Sequence, residues 1–256
     1  MAKGKNKQVS KKGKVVKKGD RHPFTKKEWF QLMAPPALKD AKQVGWTVCK
    51  KPTGTQVVSD FLKYRIAEIS LADLTDSSKD VTKKIKVQID DVVGNSCFTS
   101  FYEYELVKEK VAALLKKRQS LIEVITEVKS KEGVIFRVFI VAVTSRRPGQ
   151  QKLNSYAQNS KIKLFRKRIN AELVKLASEK SANDFAHDII TDALNAKLET
   201  LGNKVIPGIK LIVTKLKISK KNVTDIRADA GEQQKVEAAA AGERKIEEHA
   251  KAKTAI

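Results

Sequence analysis

The chain has 256 residues and a formal charge of +23, from 52 Lys and Arg against 29 Asp and Glu. Self-repulsion of that size destabilises a compact state unless something anionic neutralises it, so nucleic acid is the expected partner and an anionic membrane surface the runner-up. Two cysteines, Cys49 and Cys97, are too few for a disulfide framework or a zinc cage.

Residues 1–21 carry nine basic residues and a single acid, Asp20. With almost nothing to bury, this arm is expected to be disordered when alone and to order along a phosphate backbone; a solvated tail doubling as an import signal is the competing reading. Its candidate phosphate contacts are Lys11, Lys12, Lys14, Lys17, Lys18 and Arg21. No apolar leader is present, and no apolar run is long enough to span a bilayer, so the expected compartment is cytosol or nucleus. Phe24, Trp29, Phe30, Leu32 and Met33 then bring a sudden apolar load. Thr25 with Glu28 three residues on predicts a short capped helix over 25–32, stopped by Pro35-Pro36. Trp29 either anchors the arm to the core or stacks on a base.

From Val44 the hydrophobic period becomes two. Residues 44–49 and 56–70 read as strands joined by the Pro52-Thr53-Gly54 turn, and 73–80 as a polar loop. Ile85, Val87 and Ile89 alternate with Lys84, Lys86, Gln88 and Asp90, a half-buried strand. Gly94-Asn95 turns the chain into a short strand over 97–102. The cysteines lie in strand-like runs and are expected to be buried thiols. Residues 105–118 suit a helix with Val107, Val111, Leu114 and Leu115 on one face. Residues 121–129 and 134–144 flank Lys131-Glu132-Gly133 as a β-hairpin. The second of these strands is apolar on both faces except at Arg137, which predicts a central strand covered on each side, with Arg137 paired to an acid or snorkelling to the rim.

From Arg146 to Arg168 there are eight basic residues and no Asp or Glu. Ile162, Phe165, Ile169, Leu173 and Leu176 fall on one helical stripe, with Lys161, Lys163, Lys167, Arg168 and Lys175 opposite. A helix so patterned docks by one face and offers cations on the other. Tyr156, framed by Ser155, Gln158 and Asn159, either meets RNA or ties the loop to the core. Asn183 is the expected cap of a second helix running to Gly202. Pro207-Gly208 turns into a last strand over 209–218 carrying Lys210, Lys215 and Lys217, extended by Lys220 and Lys221. From Asp225 the composition shifts to Ala, Glu and Lys, expected as a solvated helix or disorder.

His22, His187 and His249 have no partners at metal-ligand spacing. Phosphate-binding glycine loops, H-E-x-x-H and C-x-x-C are absent, so neither catalysis nor a cofactor or metal is expected. Sheet motifs of the RRM type and a KH loop are also missing, and aromatics make up only 6% of the chain. That composition favours Lys and Arg on the backbone over base stacking as the main mode.

Several stretches agree, in order and at similar spacing, with one family. They are Met1-Ala2-Lys3-Gly4-Lys5-Asn6-Lys7, Pro23-Phe24-Thr25-Lys26-Lys27-Glu28-Trp29, Ser59-Asp60-Phe61-Leu62-Lys63 and Glu68-Ile69-Ser70-Leu71-Ala72-Asp73-Leu74. Asp91-Val92 through Cys97 to Phe101, Ser155-Tyr156-Ala157-Gln158 and Arg166-Lys167-Arg168 continue the pattern. Over nearly its whole ordered length the chain resembles the archaeal–eukaryotic small-subunit ribosomal protein family called S-three-a or S-one-e. It departs where the family tends to have Gly, at Phe61 and Tyr64, and where it tends to have an aromatic, at Arg118. The resemblance implies a structural protein of the small-subunit platform, near the mRNA exit and the rRNA 3′ end. It also implies a β-barrel-type domain, contacts with neighbouring ribosomal proteins, and closeness to the initiation-factor surface.

The expected fold is therefore α+β: an antiparallel, β-barrel-like sheet domain with peripheral helices, a basic N-terminal arm and an Ala/Glu-rich C-terminal tail. The expected divisions are 1–22, 23–222 and 223–256. Candidate RNA contacts are the arm cations, Arg146, Arg147, Lys152, Tyr156, Lys161, Lys163, Arg166, Lys167, Arg168, Lys215, Lys217, Lys220 and Lys221; Lys83, Lys84 and Lys86 are weaker. The expected partners are small-subunit rRNA and neighbouring ribosomal proteins, with mRNA and initiation factors at the margin, no membrane and no homo-oligomer. The expected location is the cytoplasmic ribosome after nucleolar transit. The competing readings are a free-standing chromatin or mRNP component, a nucleic-acid-modifying enzyme, and an anionic-membrane binder.

Overall fold

A computed structural model of the chain describes residues 23–39, 43–75 and 77–221. The arm, with Lys11, Lys12, Lys14, Lys17, Lys18 and Arg21, and the tail after Asp225 lie outside the described residues. The strands are β1 (Lys27–Met33), β2 (Gln43–Lys50), β3 (Ile66–Ser70), β4 (Lys83–Val93), β5 (Ser96–Leu106), β6 (Leu121–Lys129), β7 (Ile135–Thr144) and β8 (Ile209–Lys220). The helices are α1 (Val58–Leu62), α2 (Ala72–Thr75), α3 (Lys108–Leu114), α4 (Asn159–Glu179), α5 (Ala182–Ile190) and α6 (Ala193–Asn203).

The eight strands of the described residues share one sheet, in the order β2-β1-β5-β8-β7-β6, with β4 paired to β5 and β3 to β4. The long ladders are antiparallel; β1 meets β5 in parallel over Gln31↔Ser96 and Leu32↔Cys97. One edge of β5 pairs with β4 along its length. The other is divided between β1 near Ser96 and Cys97 and β8 over Glu103, Tyr104 and Glu105. That division makes the sheet branch, and among the described residues it stays open. The expected barrel is corrected to an open, mostly antiparallel sheet with helices against it.

The main core lies between this sheet and α4, α5 and α6. Phe165, Ile169, Leu173 and Ala177 of α4 are buried against Ile122, Val124, Phe136, Val138 and Ile140, and Phe136 meets Phe185 with ring centroids 5.6 Å apart. Burying a side chain of this size contributes about 1.5–3 kcal/mol, which is why the spacing of this stripe sets where the helix docks. A smaller cluster of Phe30, Leu32, Cys49, Leu62, Ile89 and Cys97 sits under β1, β2 and α1, and both cysteines are buried free thiols as expected.

The hairpin and the α4 stripe follow the sequence reading, and Arg137 pairs with Glu127 across that hairpin. β7 is interior, between β6 and β8, but only the face toward the helices is fully buried. Other segments differ. The expected helix over 25–32 is a 3-10 turn at Pro23–Lys26 followed by β1, in which Phe30 and Leu32 point inward. Alternating burial over Trp29–Leu32 outweighs the cap signal. The expected strand over 56–70 is α1 followed by β3, divided at Tyr64, whose φ is 64°. The expected loop over 73–80 holds α2 and a 3-10 turn at Ser78–Thr82. The expected helix over 105–118 shrinks to α3, because Tyr104 and Leu106 are buried in β5 and extend it. The second helix is two: Ser181, not Asn183, caps α5 by accepting from the Asp184 amide, and Asp192 at φ 61° breaks the chain before α6.

Candidate nucleic-acid interface

α4 is held by its buried stripe, and that fixes where its other side points. Lys161, Lys163, Arg166, Lys167 and Arg168 are all exposed on it. Arg166 Nε donates to the Glu123 carbonyl at 3.2 Å, tying the helix to the outer strand β6. Thr126 Oγ1 also meets Asn170 Oδ1, at 2.5 Å. Neither contact uses a carboxylate. The first turn of α4 has no acidic residue, and Gln158 at its N-cap makes no side-chain capping bond. Its N-terminal amides therefore add partial positive charge to the same end of the surface.

The loop from β7 to α4 is built, not slack. Thr144 Oγ1 donates to the Ser155 carbonyl at 2.6 Å and accepts from the Ser120 amide at 2.9 Å. The Ala157 amide donates to Ser120 Oγ, and the Ser155 amide to the Arg118 carbonyl. Gln150 braces the turn by donating to the carbonyls of Lys152 and Asn154 and accepting from the Arg147 amide. These bonds frame a polar cleft of about 270 Å³ whose lining includes Arg147, Gln150, Ser155, Tyr156 and Lys161. Tyr156 is 65% exposed, so its ring faces solvent at the cleft and does not tie the loop to the core. Arg146, Arg147 and Lys152 are exposed, and Arg146 donates to the Gln150 carbonyl.

The remaining predicted cations stand apart from this group. Lys215 reaches Glu103 and Glu105, and Lys86 reaches both of the same carboxylates at 3.3 Å. Burial works against the charge on Lys86, yet Glu105 and Glu103 together raise its pKa above the ordinary lysine value. Lys84 pairs with Glu68 at 2.9 Å, and Lys83 is buried between Asp80 and Asp192. Lys221 is half-buried near Asp90, and burial lowers its pKa despite that acid. Lys217 is half-buried and Lys220 exposed at the end of β8. Among the described residues, the eight cations of 146–168 have no carboxylate partner, whereas Lys83, Lys84, Lys86, Lys215 and Lys221 have at least one. Sequence reading passed over a second surface, the outer face of β1 and β2, where Trp46, Lys27 and Lys50 join Trp29. Alternation through 27–33 was the signal for it.

Comparison with known proteins agrees with the resemblance. The profile of the Ribosomal S3Ae family matches residues 15–222. The small ribosomal subunit protein eS1 of Theileria annulata is 36% identical over 226 residues, 88% of this chain and 86% of that protein. Its counterpart from Theileria parva is 35% identical over the same shares. That of Babesia bovis is 35% identical over 247 residues, 93% of each chain.

Proposed function

The chain belongs to the Ribosomal S3Ae family, and we propose that, as a structural component of the small ribosomal subunit, it grips ribosomal RNA by the backbone through α4 and the 145–158 loop. The observation that carries this is the contrast in pairing. Lys84, Lys86 and Lys215 on the sheet are neutralised by Glu of the same chain, while Arg146, Arg147, Lys152, Lys161, Lys163, Arg166, Lys167 and Arg168 lack a carboxylate partner among the described residues. A cationic surface on a rigidly docked helix suits phosphates at fixed positions and carries little sequence information.

On this reading the protein works without chemistry of its own, and neither cofactor nor metal enters. The arm cations Lys11 to Arg21 extend the grip, residues 23–222 form the single folded unit, and the tail lies beyond it. Lys217 and Lys220 at the end of β8 are a secondary contact; Lys215 and Lys221 would have to exchange a carboxylate for a phosphate. Tyr156 stacks on or hydrogen-bonds to RNA at the cleft. Ribosomal RNA and neighbouring small-subunit proteins are the partners; mRNA near its exit and initiation factors are further ones, and the chain does not pair with itself. It works on the platform of cytoplasmic subunits after passing through the nucleolus during assembly.

The test is reversal of Arg166, Lys167 and Arg168 to Glu, with sedimentation as the readout. The expected result is an unchanged thermal midpoint together with loss of the variant from small subunits, because among the described residues only the Arg166 bond to a β6 carbonyl is removed from the fold. Normal incorporation would overturn the reading. Release of the wild-type chain from subunits by a high-salt wash would favour a free-standing nucleic-acid binder.

A further inference from the structure

The β1–β2 hairpin carries a second surface that the α4 reading does not use. Antiparallel register pairs Lys27 with Lys50, Trp29 with Val48, and Gln31 with Trp46, which sets these six residues on one face. Phe30, Leu32 and Cys49 take the opposite face into the smaller core, and Glu28, opposite Cys49, turns away with them. The outward face is thus free of acid along this register. Trp29 is 52% exposed and Trp46 55%. Phe24 stacks on Trp29 at 6.1 Å and 10°, and Lys27 Nζ stands 4.8 Å from the Phe24 ring, so a column of flat groups is already built at one end. Lys26, Lys27, Lys50 and Lys51 are exposed together there, held by the Lys51 amide donating to the Lys26 carbonyl.

Two large indoles left in water on an edge hairpin, with four lysines beside them, need an occupant that is both flat and anionic. We infer that this face binds unpaired RNA nucleotides, with bases stacked on Trp29 and Trp46 and phosphates on Lys26, Lys27, Lys50 and Lys51. Diagonal positions across an antiparallel ladder lie roughly 7–8 Å apart, so the two indoles offer neighbouring stacking surfaces on one face. Stacking tolerates any base, and the lysines supply the backbone attraction, the combination found in single-strand binding surfaces. The chain's own arm is a poor match, since residues 1–22 contain Lys and Gly and no aromatic other than His22. A duplex is excluded by the same logic, because its bases are already stacked.

The chain has only two tryptophans, Trp29 and Trp46, so fluorescence excited selectively at tryptophan reports on this face alone. The experiment titrates the full chain with a single-stranded oligoadenylate of eight nucleotides and, separately, with a blunt RNA duplex of equal length. Saturable quenching by the single strand and little by the duplex is expected. Trp46→Ala should weaken single-strand binding, followed by anisotropy of a labelled strand, about 5- to 100-fold, and Trp46→Phe should recover most of it. Because Trp46 is exposed on an edge strand, circular dichroism should show the same thermal midpoint for all three proteins. Reversal of Arg166, Lys167 and Arg168 should leave the quenching in place, so failure here is separable from failure of the α4 reading. Equal quenching by the duplex would overturn the inference, as would unchanged strand binding by Trp46→Ala. Equal quenching by polyglutamate would replace RNA with an acidic protein segment, and an emission shift with protein concentration alone would replace it with a second copy of the chain.

Discussion

Gly202 of α6 lies against the ring of Phe165 of α4: a Cβ at 202 would stand 2.9 Å from Phe165 Cε2 and 3.0 Å from Ile209 Cγ2. The backbone here is ordinary helix, so the glycine is present for closeness, not for a turn. Ala would gain up to about 1 kcal/mol in helix propensity. Overpacking a fully buried ring costs about 1–3 kcal/mol, and this ring is enclosed in the main core. Gly202→Ala is therefore expected to lower stability by about 1–2 kcal/mol in denaturant unfolding, and Phe165→Leu in the same chain should recover part of it. An increase in stability would show that the α4–α6 contact is looser than described.

Tyr104 is fully buried in β5, and its hydroxyl has no hydrogen-bond partner among the described residues. Burial, reinforced by Asp192 and Asp80, pushes its phenol pKa well above the ordinary tyrosine value. The sign follows from proton counting. Above pH ~10 the unfolded chain loses this proton while the folded chain keeps it, so stability falls as pH rises, by up to about 1.4 kcal/mol per pH unit from this group. Tyr104→Phe removes that loss and the buried orphan hydroxyl together. It should be more stable than wild type by roughly 1 kcal/mol at neutral pH, with a larger margin at pH 11. Lys221, whose pKa burial lowers, acts the other way, its penalty fading as pH rises. The difference between wild type and Tyr104→Phe isolates the tyrosine. An equal margin at both pH values would refute the assignment.

Tyr64 sits at φ 64° between α1 and β3, 73% exposed, with its amide donating to the Ile89 carbonyl at 2.8 Å. The left-handed region costs a non-glycine residue about 1–2 kcal/mol. Little burial is lost on truncation, and the backbone bond survives any substitution. Tyr64→Gly should therefore be more stable than Tyr64→Ala by about 1 kcal/mol, the reverse of the order in a helix interior. Thermal melts of the two variants decide it; Ala above Gly would mean that the turn relaxes.

The readable parts of the fold were those with one unopposed period. Residues 121–144 alternate around a Gly turn, and α4 repeats Ile162, Phe165, Ile169 and Leu173 with cations between, so both followed from local pattern. Residues 25–32 carry two signals, a Thr25–Glu28 cap and alternation through Trp29–Leu32, and only pairing with β2 and β5 decides between them. The break before α6 was hidden for a similar reason: Asp192 is held in its left-handed turn beside Lys83, a partner supplied by β4. The candidate interface divided the same way. The acid-free run of 146–168 was visible as composition, but that Lys215 is neutralised by Glu103 depends on the β5–β8 register, which no local pattern encodes.

Lys83 is where the sheet is fastened to the α5–α6 corner. Its side chain is 8% exposed, pairs with Asp80 at 2.9 Å and with Asp192 at 2.6 Å, and donates to the Ile190 carbonyl at 2.9 Å. A lysine so placed is not available to RNA. Its removal leaves Asp80, itself only 18% exposed, and the end of α5 without their cation. Breaking one side of a buried pair costs about 3–5 kcal/mol, and the half-exposed Asp192 argues for the lower part of that range. Lys83→Met should accordingly lose about 3 kcal/mol in urea unfolding, while Lys83→Met with Asp80→Asn should lose clearly less, since the stranded carboxylate is then neutral. Additive losses from the two substitutions would sink the fastening role and leave Lys83 as an ordinary strand residue.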